Sequence, residues 1–196
     1  MFMVKDTINK TSSITIVITL LVTAAILTVQ SPSMLQPSYA QLDATQRQAI
    51  LDIHNRERAA VGVQPLTWSD SLAAGAQVWA QQIAATGQFR HDPVNAVPRG
   101  PNGENIAGFN WAQGPTEPRG GTSLWVAEKQ NYVPGSPVEQ ALGEPNRVYG
   151  HYTQMVWRTT TQIGCGTAPP GAGGLWYGIL VCRYLQPGNL PGQAAY

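Results

Sequence analysis

The chain has 196 residues, with 12 Lys and Arg against 11 Asp and Glu and a formal net charge of +1 at pH 7. This length gives one domain enough residues for a core, and the 43% hydrophobic content is typical of a globular protein. Because the basic residues are scattered singly, we expect neither nucleic-acid binding nor electrostatic attraction to an anionic membrane.

Residues 1–40 differ in composition from the rest of the chain. Two lysines precede an apolar run, 14–29, that is short for a membrane span. Ser38 and Ala40 then supply the small residues that a signal peptidase site requires. We predict a secretory signal peptide over 1–40, a domain over 41–196, and a secreted or cell-envelope location. The alternative is an uncleaved N-terminal anchor, which would be the chain's one contact with a membrane.

The first predicted helix begins near Asp43 and ends near Gly62. Gln46 lies three residues after Asp43, the spacing of a capping box, and glycine suits the left-handed conformation that often ends a helix. Its apolar face consists of Ala49, Ile50, Ile53 and Ala60.

Two further helices are predicted. One begins after Ser69 or Asp70 and runs towards Gly87, with apolar residues at helical spacing. These residues, which we expect in the core, are Leu72, Ala76, Trp79, Ala80 and Ile83. The other covers roughly 122–132, and spacings of three and four residues place Trp125, Glu128 and Tyr132 on one face.

The remaining segments divide into loops and strands. The stretches 92–121 and 133–149 are rich in Pro and Gly and lack periodicity, so we predict loops there. The segments 163–168 and 175–184 are predicted strands, joined by 169–174. Helices followed by a hairpin indicate an α+β layered domain.

The two cysteines lie in the two predicted strands. Pairing Cys165 directly with Cys182 places Gly173 and Gly174 in a two-residue type I′ turn, so one register serves both the turn and a disulfide. In an oxidising compartment the cysteines would pair, and the bond would stabilise the domain by about 3 kcal/mol. Two buried reduced thiols are the alternative, and a cysteine zinc site is disfavoured because a second cysteine pair is missing.

Four short motifs, each carrying one His or Glu, occur in a fixed order along the chain. They are Phe89-Arg90-His91, Gly103-Glu104-Asn105, Trp125-Val126-Ala127-Glu128-Lys129 and Gly150-His151-Tyr152-Thr153-Gln154. Together with the segments 51–56 and 182–189, they resemble the CAP superfamily, also called the SCP or pathogenesis-related-1-like family. The resemblance runs from about Gln46 to Tyr196. It implies a three-layer α-β-α sandwich with a small, mainly antiparallel sheet.

The resemblance also implies a site. In CAP proteins the matching positions line the floor of a surface cleft, which here gives a tetrad of His91, Glu104, Glu128 and His151. Two neutral imidazoles can bind a divalent cation such as Zn²⁺ loosely, while the carboxylates orient water or the imidazole N–H groups. Because histidine ligands must be deprotonated, we expect binding to weaken below about pH 6.5. The alternative is a hydrogen-bonded network that holds the cleft walls together.

Other conspicuous residues have structural interpretations. His54 belongs to a His-Asn-x-x-Arg motif that the family carries outside its tetrad, and we expect His54, Asn55 and Arg56 to make local structural contacts. Tyr152 is expected to pack in the core. Core positions are also expected for Trp68, Trp79, Trp125, Trp157 and Trp176. The aromatic pair of Phe109-Asn110-Trp111 could offer apolar contact area from a loop, although packing onto the domain is the simpler expectation.

Three functions agree with this sequence. The one we predict is a secreted, non-enzymatic binding module, whose ligand would be a lipid or sterol, another small apolar molecule, a glycan, an envelope component or an extracellular protein. The second is a metal-dependent, peptidase-like hydrolase with Glu104 or Glu128 as general base. It lacks an independent catalytic motif such as His-Glu-x-x-His or Gly-x-Ser-x-Gly. The third is a signalling scaffold with a vestigial site.

Overall fold

The computed structural model describes residues 41–96, 100–116, 120–138 and 148–196. The predicted signal peptide, residues 1–40, lies outside the described residues. The described elements are, in chain order, α1 (Ala44–Ala60), β1 (Thr67–Trp68), α2 (Asp70–Thr86), β2 (Gly103–Phe109), α3 (Gly121–Ala127), α4 (Gly150–Met155), β3 (Gln162–Ala168) and β4 (Gly178–Leu185).

The two long helices begin where their capping residues predict. Asp43 caps α1 through a capping box, with its carboxylate accepting from the Gln46 N–H at 2.8 Å and the Gln46 side chain accepting from the Asp43 N–H at 3.1 Å. Ser69 caps α2, which ends at Gly87 in the left-handed conformation with φ 71°. Local sequence signals therefore placed both helices correctly.

The third predicted helix is shorter than expected. The α-helix α3 ends at Ala127, and a 3₁₀ turn continues it over Glu128–Asn131. Tyr132 follows in an extended conformation. The tighter 3₁₀ winding changes the angular spacing of side chains, so Glu128 and Tyr132 do not share one α-helical face as predicted.

The sheet has the strand order β1-β3-β4-β2. β1 pairs in parallel with β3, and the other pairs are antiparallel. α2 packs against β3 and β4, where Gly164 and Gly166 lie against the α2 backbone so closely that a side chain would collide with it. The other face of the sheet carries α1, α3 and α4.

Alternation along β4 separates two apolar clusters. Ile179 and Val181 point towards α2 and pack with Ala76, Ala80 and Ile83. Leu180, Cys182 and Tyr184 point the opposite way and pack with residues of the remaining helices, including Ile50, Trp125 and Met155. Helices thus cover both faces, and the expected α+β sandwich with a small, mainly antiparallel sheet is confirmed.

Three elements lie where the sequence analysis predicted no regular structure. β2 runs through the predicted loop 92–121, and β1 and the short helix α4 were also missed. β2 is buried along almost its whole length, so the polar–apolar alternation that marks a half-exposed strand is missing.

The predicted register of the hairpin is confirmed, but its turn is wrong. Cys165 pairs with Cys182, and the two form a disulfide across the strands. Pairing stops at Ala168, and the loop 169–177 connects the strands. Of Gly173 and Gly174 only the second has positive φ, whereas a type I′ turn needs two such residues. Gly173 instead packs on the end of α2, where its N–H donates to the Ala84 carbonyl.

In the part of the chain that the structure describes, no helix is both long and apolar enough to cross a membrane.

Candidate functional site

The first pair of the predicted tetrad joins His151 to Glu128. The Nδ1 atom of His151 lies 2.6 Å from Glu128 Oε1, and Glu128 Oε2 accepts from the backbone N–H groups of His151 and Tyr152 at 3.0 and 3.2 Å. These N–H groups belong to the first turn of α4, which has no side-chain cap of its own. Glu128 therefore orients the His151 imidazole and also accepts hydrogen bonds from two N–H groups that would otherwise be unpaired at the start of α4.

Two further side chains fix His151. The indole of Trp125 stacks on the imidazole, with ring centroids 5.9 Å apart and an interplanar angle of 18°. On the sheet side, the Asn105 amide donates to the His151 carbonyl at 3.0 Å. The ring and the backbone of His151 are thus held by separate elements, α3 and β2.

The second pair joins His91 to Glu104. The Nδ1 atom of His91 lies 2.9 Å from Glu104 Oε1, and that oxygen also accepts from the Asp92 N–H at 2.9 Å. The other carboxylate oxygen accepts from Arg183 Nε at 3.4 Å. Glu104 and Arg183 are register partners on β2 and β4, so the sheet itself brings them together.

Arg183 also forms a buried ion pair with Asp92. Burial by itself would raise the pKa of Asp92, but hydrogen bonds from the Asn95 side chain and from two backbone N–H groups, together with the Arg183 charge, lower it below its usual range. Arg183 thus connects Glu104 to a second anchored carboxylate, and it fixes the position from which Glu104 meets His91.

Both pairs present the imidazole outward and the carboxylate inward. The His91 side chain is 56% exposed above a Glu104 side chain that is 1% exposed, and His151 is likewise more exposed than Glu128. A carboxylate can only accept a hydrogen bond, so each Nδ1 carries the proton. In a neutral imidazole this leaves Nε2 with its lone pair, and Nε2 of each histidine is the atom that could bind a metal.

The described residues 41–96, 100–116, 120–138 and 148–196 contain no group of three or more His, Cys, Asp or Glu side chains arranged to hold a metal ion. The four predicted residues are joined as two His–Glu pairs with separate partners.

A buried network lies behind His151. Asn105, which bonds the His151 carbonyl, also donates to the Tyr184 hydroxyl at 3.1 Å. That hydroxyl lies 2.9 Å from His54 Nε2, and His54 Nδ1 lies 2.8 Å from the Ile50 carbonyl. Since a carbonyl only accepts, Nδ1 of His54 donates to it and Nε2 accepts from the tyrosine. His54 is fully buried and forms part of the core.

Burial sets the charge of His54. Desolvation lowers its pKa from 6.5 to about 4, the hydrogen bond to Ile50 acts in the opposite direction, and the Arg58 charge lowers it further. Burial also lowers the pKa of Arg58 to about 10. His54 is therefore neutral at neutral pH, which agrees with the tautomer that its hydrogen bonds require.

The far end of α4 is held by Arg58. This fully buried guanidinium donates to the carbonyls of Gln64, Met155, Trp157 and Thr160, at 2.6 to 2.9 Å. At the near end, Asn189 donates to the Gly150 carbonyl at 2.7 Å, and its own side-chain oxygen accepts from Thr153 at 2.7 Å. The six-residue helix that carries His151 is therefore fixed by residues distant in sequence.

Sequence analysis did not identify several residues that hold the site. Asp92 directly follows His91. The others lie inside quoted segments: Asn105 in Gly103-Glu104-Asn105, Arg183 in 182–189, and Arg58 as the arginine of the His-Asn-x-x-Arg motif. Membership of the same short motif as Glu104 is the signal that could have found Asn105, because Glu104 was already a candidate. The roles of Arg58 and Arg183 could not be predicted from these motifs, because most of their partners are remote in the chain.

The predictions for neighbouring residues have different outcomes. Tyr152, Trp125 and Trp157 are buried, as predicted. Asn55 exchanges hydrogen bonds with the backbone of Leu66, a local structural role. The core prediction for Trp176 is wrong, because its side chain is 85% exposed on the loop before β4.

The fold and motifs have counterparts in known proteins. A model of the cysteine-rich secretory protein family, CAP, matches residues 51–184. The chain is 40% identical over 151 residues to pathogenesis-related protein 1C of Nicotiana tabacum, covering 76% of this chain and 80% of the relative. It is 36% identical over 179 residues to a PR-1 type protein of Sambucus nigra, covering 90% and 95%. This chain belongs to the CAP family.

Solved structures share the fold. The crystal structure of NaASP2 with Zn²⁺ has a TM-score of 0.63 at 24% identity, covering 79% of this chain and 86% of that one. Venom allergen-like protein 4 of Schistosoma mansoni has a TM-score of 0.55 at 27% identity, covering 78% and 96%. Within the family, the chain is similar to the pathogenesis-related-1 type.

Proposed function

We propose that this protein is an exported, non-enzymatic CAP-domain binding protein that holds a divalent cation such as Zn²⁺ reversibly through His91 and His151. The observation that carries the proposal is the shared geometry of the two His–Glu pairs. In each, a carboxylate less exposed than the ring accepts a hydrogen bond from Nδ1–H, which leaves Nε2 with its lone pair on an outward-facing ring. This is the arrangement in which carboxylates orient histidine ligands of metals.

The chemistry of the donors limits the strength of binding. Two neutral imidazoles suit Zn²⁺ and similar borderline cations, but structural zinc sites use four protein ligands and catalytic ones three. Water or an external ligand would fill the other positions. We therefore expect weak, reversible binding.

The engagement of the carboxylates favours binding over hydrolysis. Glu104 accepts from His91, the Asp92 N–H and Arg183, while Glu128 accepts from one ring and two backbone N–H groups. A general base needs a carboxylate oxygen directed at the proton it removes, whereas these oxygens are committed to internal donors. Both carboxylates therefore act as orienting groups in this proposal.

The ligand class and the location rest on the family and the N-terminus. CAP membership and the signal-peptide pattern of 1–40 support export to the extracellular space or the cell envelope. We propose a lipid, a sterol or an envelope component as the molecule that the domain binds, with the cation as part of the site.

The test is a calorimetric titration of the purified protein with Zn²⁺ at neutral pH. We expect one ion per chain, loss of that binding in both His91→Ala and His151→Ala, and a 10- to 100-fold weaker affinity in Glu128→Gln because the carboxylate no longer fixes the ring. The exposed carboxylate Asp52 provides the matched control, and Asp52→Asn should leave the affinity unchanged.

Each alternative has its own outcome. Two weak sites, each removed by one histidine variant alone, would refute a shared ion. Binding that survives in the His91→Ala/His151→Ala double variant would place the metal elsewhere, because the third histidine, His54, is fully buried. No binding by the parent protein would make the pairs a purely structural network, and turnover of a peptide substrate that is lost in Glu104→Gln would restore the hydrolase.

A further inference from the structure

An aromatic groove opens at the end of the sheet where three connecting segments meet. Its volume is about 330 Å³, within the range of small-ligand sites. The described residues that line it are Phe89, Gly108, Phe109, Asn110, Trp176 and Tyr177. They come from the segment after α2, the end of β2 and the loop before β4. None of the four His and Glu residues lines it, so this groove is separate from the site proposed above.

The aromatic rings hold one another in fixed orientations. The rings of Trp176 and Tyr177 meet edge to face at 5.3 Å and 87°, and Phe89 meets Tyr177 at 6.2 Å and 75°. On the other side, Phe109 lies 5.7 Å from Trp111. Perpendicular aromatic contacts of this kind are favourable, so the walls are organised before any ligand arrives.

Two glycines give the rings their space. A side chain at Gly108 would meet the Tyr177 ring at 2.6 Å, and one at Gly178 would meet the Trp111 ring at 2.6 Å. Both positions lie within the β2–β4 pairing. The rings therefore lie directly on the strands, and the groove floor is rigid sheet.

The exposure of the rings is not explained by packing. Trp176 is 85% exposed and Phe89 is about half exposed, and both line this groove and contact the Tyr177 ring. Clustered exposed apolar groups on a soluble domain mark interaction sites, whereas single ones are common. An exposed tryptophan ring whose edge packs against Tyr177 gives a ligand a large flat contact.

The chemistry of the lining selects the occupant. None of the six residues is Asp, Glu, Lys, Arg or His, so the described lining offers no opposite charge to a charged ligand. The Asn110 amide nitrogen, the Tyr177 hydroxyl and the Trp176 indole N–H make no hydrogen bond to other described residues. The groove therefore combines flat apolar faces with hydrogen-bonding edges.

We propose that this groove binds a neutral oligosaccharide, with a sugar ring stacked on Trp176 and its hydroxyls bonded to Asn110 and Tyr177. A pyranose has one face of C–H groups and an edge of hydroxyls, which matches such a lining. An acyl chain or sterol would leave much of its apolar surface in water in this open groove, which makes it a poorer occupant. The open shape also lets a longer sugar chain continue past the groove.

The test uses two neutral probes, cellohexaose and chitohexaose, and one charged probe, hexagalacturonate, titrated by calorimetry into the purified protein with EDTA present. We expect at least one neutral probe to bind and the charged probe to bind at least tenfold more weakly. Trp176→Ala should lower the affinity at least tenfold, and since its side chain is mostly in water the fold should be retained. The control is Leu124→Ala, because Leu124 is a half-exposed apolar residue on α3. This variant should change the affinity for the neutral probe less than twofold.

The result is independent of the cation site. We expect the His91→Ala/His151→Ala variant to bind the oligosaccharide as the parent protein does. Loss of binding in this variant would overturn the assignment to the groove. Failure of both neutral probes to bind at millimolar concentration, or equal affinity of the parent and Trp176→Ala, would overturn the proposal. So would a Trp176-dependent affinity for a fatty acid in place of the sugars.

Discussion

Acidification should destabilise this protein through His54. The folded-state pKa of this buried histidine is about 4, against 6.5 when it is free in solution. Between these values the unfolded chain binds a proton that the folded chain does not, so stability falls as the pH decreases from 6.5 towards 4 and is independent of this group at higher pH.

The magnitude follows from the two pKa values. One pKa unit corresponds to about 1.4 kcal/mol, so His54 alone should remove about 1.4 kcal/mol at pH 5.5 and about 3 kcal/mol by pH 4. This is a large share of the stability of a typical domain, which is about 5–15 kcal/mol.

The assay is urea unfolding followed by tryptophan fluorescence at several pH values between 7.5 and 4, on the parent protein and on His54→Gln. Glutamine can still donate to the Ile50 carbonyl and accept from Tyr184, but it does not titrate. We expect His54→Gln to be less stable at pH 7 and to lose about 2.5 kcal/mol less than the parent between pH 7 and 4.5. Contributions from groups other than His54 occur in both proteins and cancel in the difference.

Ile50→Val is the matched control. This substitution should lower the free energy of unfolding by about 1 kcal/mol at every pH, because it removes a methylene from the apolar cluster and no titrating group. If His54→Gln and the parent protein lose the same stability between pH 7 and 4.5, the assignment of a buried neutral histidine is wrong.

Three further predictions concern stability, each measured by urea unfolding at neutral pH. Replacing both Cys165 and Cys182 with alanine should cost about 3 kcal/mol, and an equal stability of reduced and oxidised parent protein would contradict this. Arg58→Met should cost roughly 3–5 kcal/mol, because four backbone carbonyls each lose a hydrogen bond from the guanidinium. The exposed Arg56→Met should cost less than about 0.5 kcal/mol, and similar losses in the two variants would refute a special role for the buried guanidinium. Asn189 has φ 55°, so Asn189→Ala should cost about 2 kcal/mol and Asn189→Gly less, with the opposite order arguing against backbone strain.

Local signals in the sequence predicted the long helices and one strand pairing. The capping residues Asp43 and Ser69, and the terminating Gly87, act on the turn next to them, so their effect can be read without the rest of the chain. The register that joins Cys165 to Cys182 was also correct. The turn was not, because the packing of Gly173 on the end of α2 outweighs the preference of a Gly-Gly pair for a tight hairpin.

The missed elements depend on distant contacts. α4 is too short to be stable alone, and Glu128, Asn189 and Arg58 hold its two ends from other parts of the chain. β2 lies at one edge of the sheet yet is buried, so its side chains show no alternation to read.

The sequence by itself determined the family, the motifs and the identity of the four His and Glu residues, because these depend on residue types in a fixed order. Only the tertiary structure decided how they combine. Each histidine is paired with the carboxylate that packing brings to its Nδ1, and Glu104 meets its arginine because two strands align in register. The tertiary structure also decided that Trp176 is exposed, because its position depends on three segments that meet at one end of the sheet. Pattern within a segment reports local preference, whereas the pairing of remote side chains is set by the packing free energy of the whole domain.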